Sequence, residues 1–182
     1  FRMAGLTHFF DNELGGSAHG MEKGGLTPFG RQVVTRMEEK RMIVDLAHAS
    51  AKVVADVLAM ATRPVVFSHT GVATTCPGPR NLTDEQLRAI ASNGGLIGIA
   101  YFDGAVCDIT PAGIIKAIRH AVAVMGIKHV ALGSDFNGAV HTHFDTTGLV
   151  LITQGLLEAG FSEMEIADIM GGNAKRFLLA NL

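Results

Sequence analysis

Apolar positions in this chain fall into short runs separated by stretches with helical spacing. Phe1 to His8, Ile43 to Ala47, Val65 to Ser68, Leu96 to Phe102 and Val130 to Gly133 read as strands. Between them, Thr27-Pro28 has the form of an N-cap followed by a first helical residue. It opens a helix through Lys40 on which Val33, Val34 and Met37 recur on one face. Ser50 is placed to cap a helix over Ala51 to Thr62. Thr83 and Gln86 form a capping-box pattern for a helix that runs to about Ser92 and stops at Asn93-Gly94-Gly95. Thr110-Pro111 starts another helix, ending near Gly126. The tail holds two helical stretches, about Gly148 to Ala159 and Ser162 to Leu179, the second opened by Ser162 and Glu165. Gly15 to Gly25 and Thr70 to Asn81 are rich in turn residues and read as loops.

Strands that alternate with helices predict an α/β protein with a parallel sheet. Leu96 to Phe102 is almost wholly apolar, as a strand covered on both faces requires. A complete (β/α)8 TIM-like barrel takes about 250 residues, and this chain has 182. Its five βα units therefore fit the later part of such a barrel. A small open, doubly wound domain is the competing architecture.

Composition narrows the picture. Apolar residues make up 48% of the chain and charged residues 18%, so a packed core is expected and disorder is not. A formal net charge of −2 gives no electrostatic case for nucleic acid. No apolar run reaches transmembrane length, and no basic-then-apolar signal peptide opens the chain. Because position 1 is Phe, the natural N-terminus is expected to lie upstream. Cys76 and Cys107 are too few for a disulfide-dense scaffold and form no Cys-x-x-Cys pair.

Polar residues recur where strands end: His8, His48, His69 and Asp135. Side chains at the C-terminal ends of successive parallel strands converge on one point above the sheet. His48 and His69 end consecutive strands, and imidazole suits zinc and similar divalent ions. The pair reads as half of a metal site or as two polar strand-end residues with water or backbone partners. Asp135 reads as a turn residue or as a carboxylate that accepts a proton beside metal-activated water. Arg80, just after the His69 strand, is either a solvated loop arginine or a fork for a substrate carboxylate. His19, His141 and His143 lie in loops and are expected to face solvent. His120 and His129 fall on or just after a helix and carry no assigned role.

Seven short motifs in order resemble those of the renal (membrane) dipeptidase family. They are Leu6-Thr7-His8, Leu26-Thr27-Pro28-Phe29-Gly30, Val44 to Ser50, Val66-Phe67-Ser68-His69, Arg80-Asn81, Gly133 to Gly138, and Gly172 to Phe177. The resemblance implies a (β/α)8 barrel with two zinc ions that hydrolyses dipeptides through a metal-bridging hydroxide. By motif match, His48 and His69 would ligate one zinc ion, and His8 would stabilise the tetrahedral oxyanion. Arg80 would hold the substrate's C-terminal carboxylate. Asp135 would contact the substrate amino group and carry a proton to the leaving amine. Cys76 and Cys107 fall where some members carry a disulfide between two loops.

Two of the family's features are not placed on these strands: a His-x-Asp pair on its first strand and a glutamate that bridges both metals. Asn137 also stands where many members have Asp. A catalytic zinc ion takes three protein ligands, and the motifs supply two for one metal. On this reading residues 1–182 are the C-terminal part of a metallo-dipeptidase barrel, with the N-terminal strands absent. Such a piece is expected to be poorly active alone and to associate into a homo-oligomer through an exposed strand edge. The alternatives are another barrel amidohydrolase, acting on cyclic amides or N-acyl amino acids, and a non-catalytic binding or assembly protein.

Overall fold

The structure, a computed structural model, describes all 182 residues. Five strands form one parallel sheet in the order β1-β2-β3-β4-β5: Met3–Gly5, Ile43–Asp45, Val66–Thr70, Leu96–Ile99 and Val130–Leu132. A doubly wound sheet reverses its strand order at a switch point. This one never does, which is the winding of a TIM-type barrel and removes the competing architecture. β1 and β5 form its two edges.

The helices begin where polar caps place them. Thr27 accepts from the Gly30 amide at the start of α1 (Pro28–Glu39), and Ser50 accepts from Val53 at the start of α2 (Ala51–Met60). α3 (Asp84–Ser92) opens with the reciprocal Thr83–Gln86 box. The fourth strand is shorter than its apolar run. After Ile99 the chain turns into a one-turn helix, α4 (Asp103–Val106), and Phe102 bridges to Thr142 instead of extending the sheet. α5 (Pro111–Met125) and α6 (Leu149–Glu158) follow.

The second tail helix is not continuous. α7 (Glu163–Ala167) gives way to a widened turn over Asp168–Gly172, with Gly171 outside helical geometry, before α8 (Asn173–Asn181). Buried Asn173 holds the new direction by donating to the Ile127 and Val130 carbonyls at 2.7 and 2.8 Å. That aims Phe177 at the sheet.

The main core lies between the sheet and its helices and includes Val44, Phe67, Ile97, Ile99, Leu87 and Ile118. The opposite face carries a small cluster of Ile43, Val66, Leu96 and Ala131, closed by Phe177. Side chains alternate along strands, so two residues further on the same face presents Asp45, Ser68, Gly98 and Gly133. A Cβ on Gly98 would lie 2.5 Å from the Ser68 carbonyl oxygen, and one on Gly133 only 2.3 Å from it. These two strand ends therefore approach at backbone distance. No helix is long and apolar enough to cross a membrane.

Candidate active site

His8, His48, His69, Arg80 and Asp135 all line one cavity of about 510 Å³ at the C-terminal ends of the strands. A larger open groove of about 930 Å³ between α5 and α6 contains none of them. The sequence-predicted residues thus converge on the smaller cavity.

Asp45 organises the floor. Its Oδ1 accepts from the amides of Ala47 and Ser68, both at 3.0 Å, and so ties the end of β2 to β3. The chain then leaves β2 with His48 in the left-handed region at φ 66°, and Asp135 follows β5 at φ 62°. Such backbone costs of order 1–3 kcal/mol for each residue and gathers at functional sites; aspartate tolerates it better than histidine.

The Nε2 atoms of His48 and His69 face each other at 3.0 Å. His69 Nδ1 is engaged by the Ser68 hydroxyl at 2.9 Å, while His48 Nδ1 is buried without a partner. Two ring nitrogens at this separation need a shared proton or a cation between them. Burial, the Arg80 charge and His69 push the His48 imidazole down to about 3. Burial and Arg80 also lower His69, against the opposing pull of Asp135 and Asp45. Both rings are therefore neutral near pH 7, the form that ligates metals. The ring of His8 packs edge-on against His48 with centroids 4.4 Å apart. Asp135 Oδ2 lies 3.9 Å from His69 Nε2.

Arg80 is 8% exposed. Its Nη2 donates to the His69 carbonyl at 3.2 Å and sits 3.5 Å from His48 Nε2, and its guanidinium stacks 5.1 Å from the Phe102 ring centre. Nε and Nη1 are buried with no protein acceptor. Burial lowers its pKa to about 10, with Asp135 and Asp45 opposing, so it remains a cation at neutral pH. A buried cation with unused donors is a site for an anionic partner. The loop that carries it is closed by a Cys76–Cys107 disulfide, with Cα atoms 5.4 Å apart.

His19 lies exposed in a loop, as expected, and its side chain also lines the cavity. The glycine-rich loop is folded back by Asp11, whose carboxylate accepts from the Ser17 and Glu22 amides, and by an Ala18 amide bond to the His48 carbonyl at 2.7 Å. His141 and His143 do not line it. The one His-x-Asp in the chain, His143-Phe144-Asp145, lies beyond β5, where Asp145 caps Thr147. His120 pairs with Asp84 at 2.7 Å, and His129 Nδ1 meets the Gly95 carbonyl at 2.8 Å, both away from the cavity.

His48 and His69 are fit to hold a metal ion through Nε2, but no three His, Cys, Asp or Glu side chains gather at ligand spacing.

Comparison with known proteins bears on what the site does. The profile of the membrane dipeptidase family (peptidase family M19) matches residues 1–180. A Klebsiella pneumoniae protein from the region 5′ of pqqA is 34% identical over 163 residues, covering 85% of this chain and 60% of that protein. Dipeptidase aclJ of Aspergillus oryzae is 33% identical over 187 residues, covering 97% of this chain and 44% of the relative. Among solved structures, a metallo peptidase from Rhodobacter sphaeroides, bound to a phosphinate mimic of the dipeptide L-Ala-D-Ala, superposes with a TM-score of 0.91. It is 25% identical and covers 100% of this chain and 56% of its own. A dipeptidase AC metallo peptidase superposes with a TM-score of 0.89 at 26% identity, covering 99% and 56%. This chain spans about half the length of these relatives.

Proposed function

We propose, for a chain that belongs to the membrane dipeptidase family, that the complete protein is a zinc-dependent dipeptidase and that residues 1–182 supply its substrate-binding side. The observation that carries this reading is a pair of neutral imidazoles, His48 buried and His69 half-buried, facing each other beside an arginine with two unused donors.

His48 and His69 would hold one zinc ion through Nε2; a second ion would take ligands from outside these residues. Bound zinc supplies Lewis acidity and an activated water at neutral pH. This chain's own residues do the rest. Arg80 receives the substrate's C-terminal carboxylate on its free Nε and Nη1 donors, where burial strengthens the pairing. His8, packed against His48, faces the scissile carbonyl oxygen and donates to it as negative charge develops there. Asp135 meets the substrate amino group and passes a proton to the departing amine. Arg80 weighs against an amidohydrolase of cyclic amides, whose substrates bring no free carboxylate to this corner.

Two imidazoles are fewer than the three protein ligands of a catalytic zinc ion, so the 182-residue chain by itself is expected to turn over poorly. The test is zinc content and dipeptide hydrolysis on the full-length protein, with this chain run alongside. Two zinc ions and turnover in the former, and loss of both in the latter, is the expected result. A full-length protein with no metal and no dipeptide cleavage would sink the reading.

A further inference from the structure

His19 stands in the cavity with no part in the chemistry assigned above. Its position is built rather than incidental. The His19 amide donates to the Ser17 hydroxyl at 3.1 Å, the Ser17 hydroxyl is held by the His8 carbonyl, and the ring packs 4.7 Å from that of Phe9. The loop is thereby fixed to the same strand end as His8.

Across the floor the side chains run His19, His48, His69, Asp135. Ring centres are 5.5 Å apart for His19 and His48 and 4.9 Å for His48 and His69, and Asp135 follows at 3.9 Å from His69 Nε2. Arg80 touches the middle of this row at His48. A dipeptide with its amine at Asp135 and its carboxylate at Arg80 therefore turns its carboxy-terminal residue toward His19. This orientation rests on the function proposed above. Burial, then the positive charge of Arg80, His8 and Lys23, lowers the His19 pKa, so basic groups stand on this side of the cavity.

We propose that His19 is a specificity-determining residue: its imidazole donates to the side chain of the carboxy-terminal residue and favours dipeptides that end in glutamate or aspartate. Phe9 packs on the ring and keeps it facing the cavity.

The experiment compares Gly-Glu with Gly-Ala as substrates of the full-length protein, of His19→Ala and of His19→Gln. The ratio of kcat/KM for Gly-Glu over Gly-Ala should fall about tenfold in His19→Ala, the weight of one hydrogen bond to a charged group. The loss should appear in KM, and His19→Gln, which keeps a donor, should recover most of it. An equal ratio in all three proteins overturns the proposal. Should the parent protein cleave neither dipeptide, the function proposed above falls, and calorimetric titration of the same two dipeptides decides His19 separately. A preference for Gly-Glu that is lost in His19→Ala upholds its role; equal affinities remove it.

Discussion

The side-chain amide of Asn81 donates to the carbonyl oxygen of Cys76 at 2.7 Å, inside the loop that delivers Arg80. The same nitrogen reaches the Gly104 and Ala105 carbonyls at 3.2 and 3.1 Å, so one amide ties the loop to α4. The disulfide spans the same two segments. Asn81→Ala leaves these buried carbonyls short of a donor, and an unsatisfied buried polar group costs ~1–3 kcal/mol. A lower urea midpoint for the full-length variant, together with a raised KM for dipeptides, is expected. An unchanged midpoint would mean water replaces the amide.

Arg80→Met removes the buried cation with its two free donors. Truncating one partner of a buried charge pair costs ~2–5 kcal/mol, so kcat/KM for dipeptides should drop on the order of a hundredfold or more. Dipeptide amides, which lack the carboxylate, should lose far less. Equal losses on both substrates would assign Arg80 a role in packing alone.

The depressed imidazoles set a pH signature for the metal-free protein. His48 takes up its proton at about 3 when folded, against 6.5 for the ordinary group. As pH falls, the unfolded chain is protonated first, so the unfolded state binds more protons in this window. Stability from this residue is complete above 6.5 and is lost as pH falls toward 3. Denaturant midpoints should decline from pH ~7 to ~4, less steeply in His48→Gln. Parallel slopes in the two proteins would mean other groups govern the acid limb.

β1 and β5 each leave one side of the sheet unpaired, and open edges invite pairing with another chain. The 182-residue chain alone should elute in size-exclusion chromatography as a species that grows with concentration. A constant monomer over a wide concentration range would show that side chains and loops already protect both edges.

Helix starts were legible because their signals are local: Thr27, Ser50, Thr83, Thr110 and Ser162 each accept from an amide three residues on. The convergence of His8, His48, His69, Arg80 and Asp135 was legible too, since parallel strands bring their ends together. What escaped depends on distant contacts. The break before α8 is stabilised by Asn173 reaching Ile127 and Val130, some forty residues back. His19 is the exposed loop residue its sequence context indicates, but its place beside the cavity depends on Asp11 and on the His48 carbonyl. The Asp11 side of that fold lies in the sequence as an acidic residue shortly before a glycine-rich stretch, but the His48 side is written only in the fold.

Gly98 and Gly133 leave β4 and β5 touching through bare backbone, with the Ser68 carbonyl closing the gap. Nothing larger than a hydrogen atom fits there, so these two strand ends admit almost no point substitution. The loops are freer to change, and from them Phe9, His19, Asn137 and Val140 line the cavity. Any drift in substrate range along this lineage would be written more readily on these loops than at the two glycines, which stay fixed by the backbone they touch.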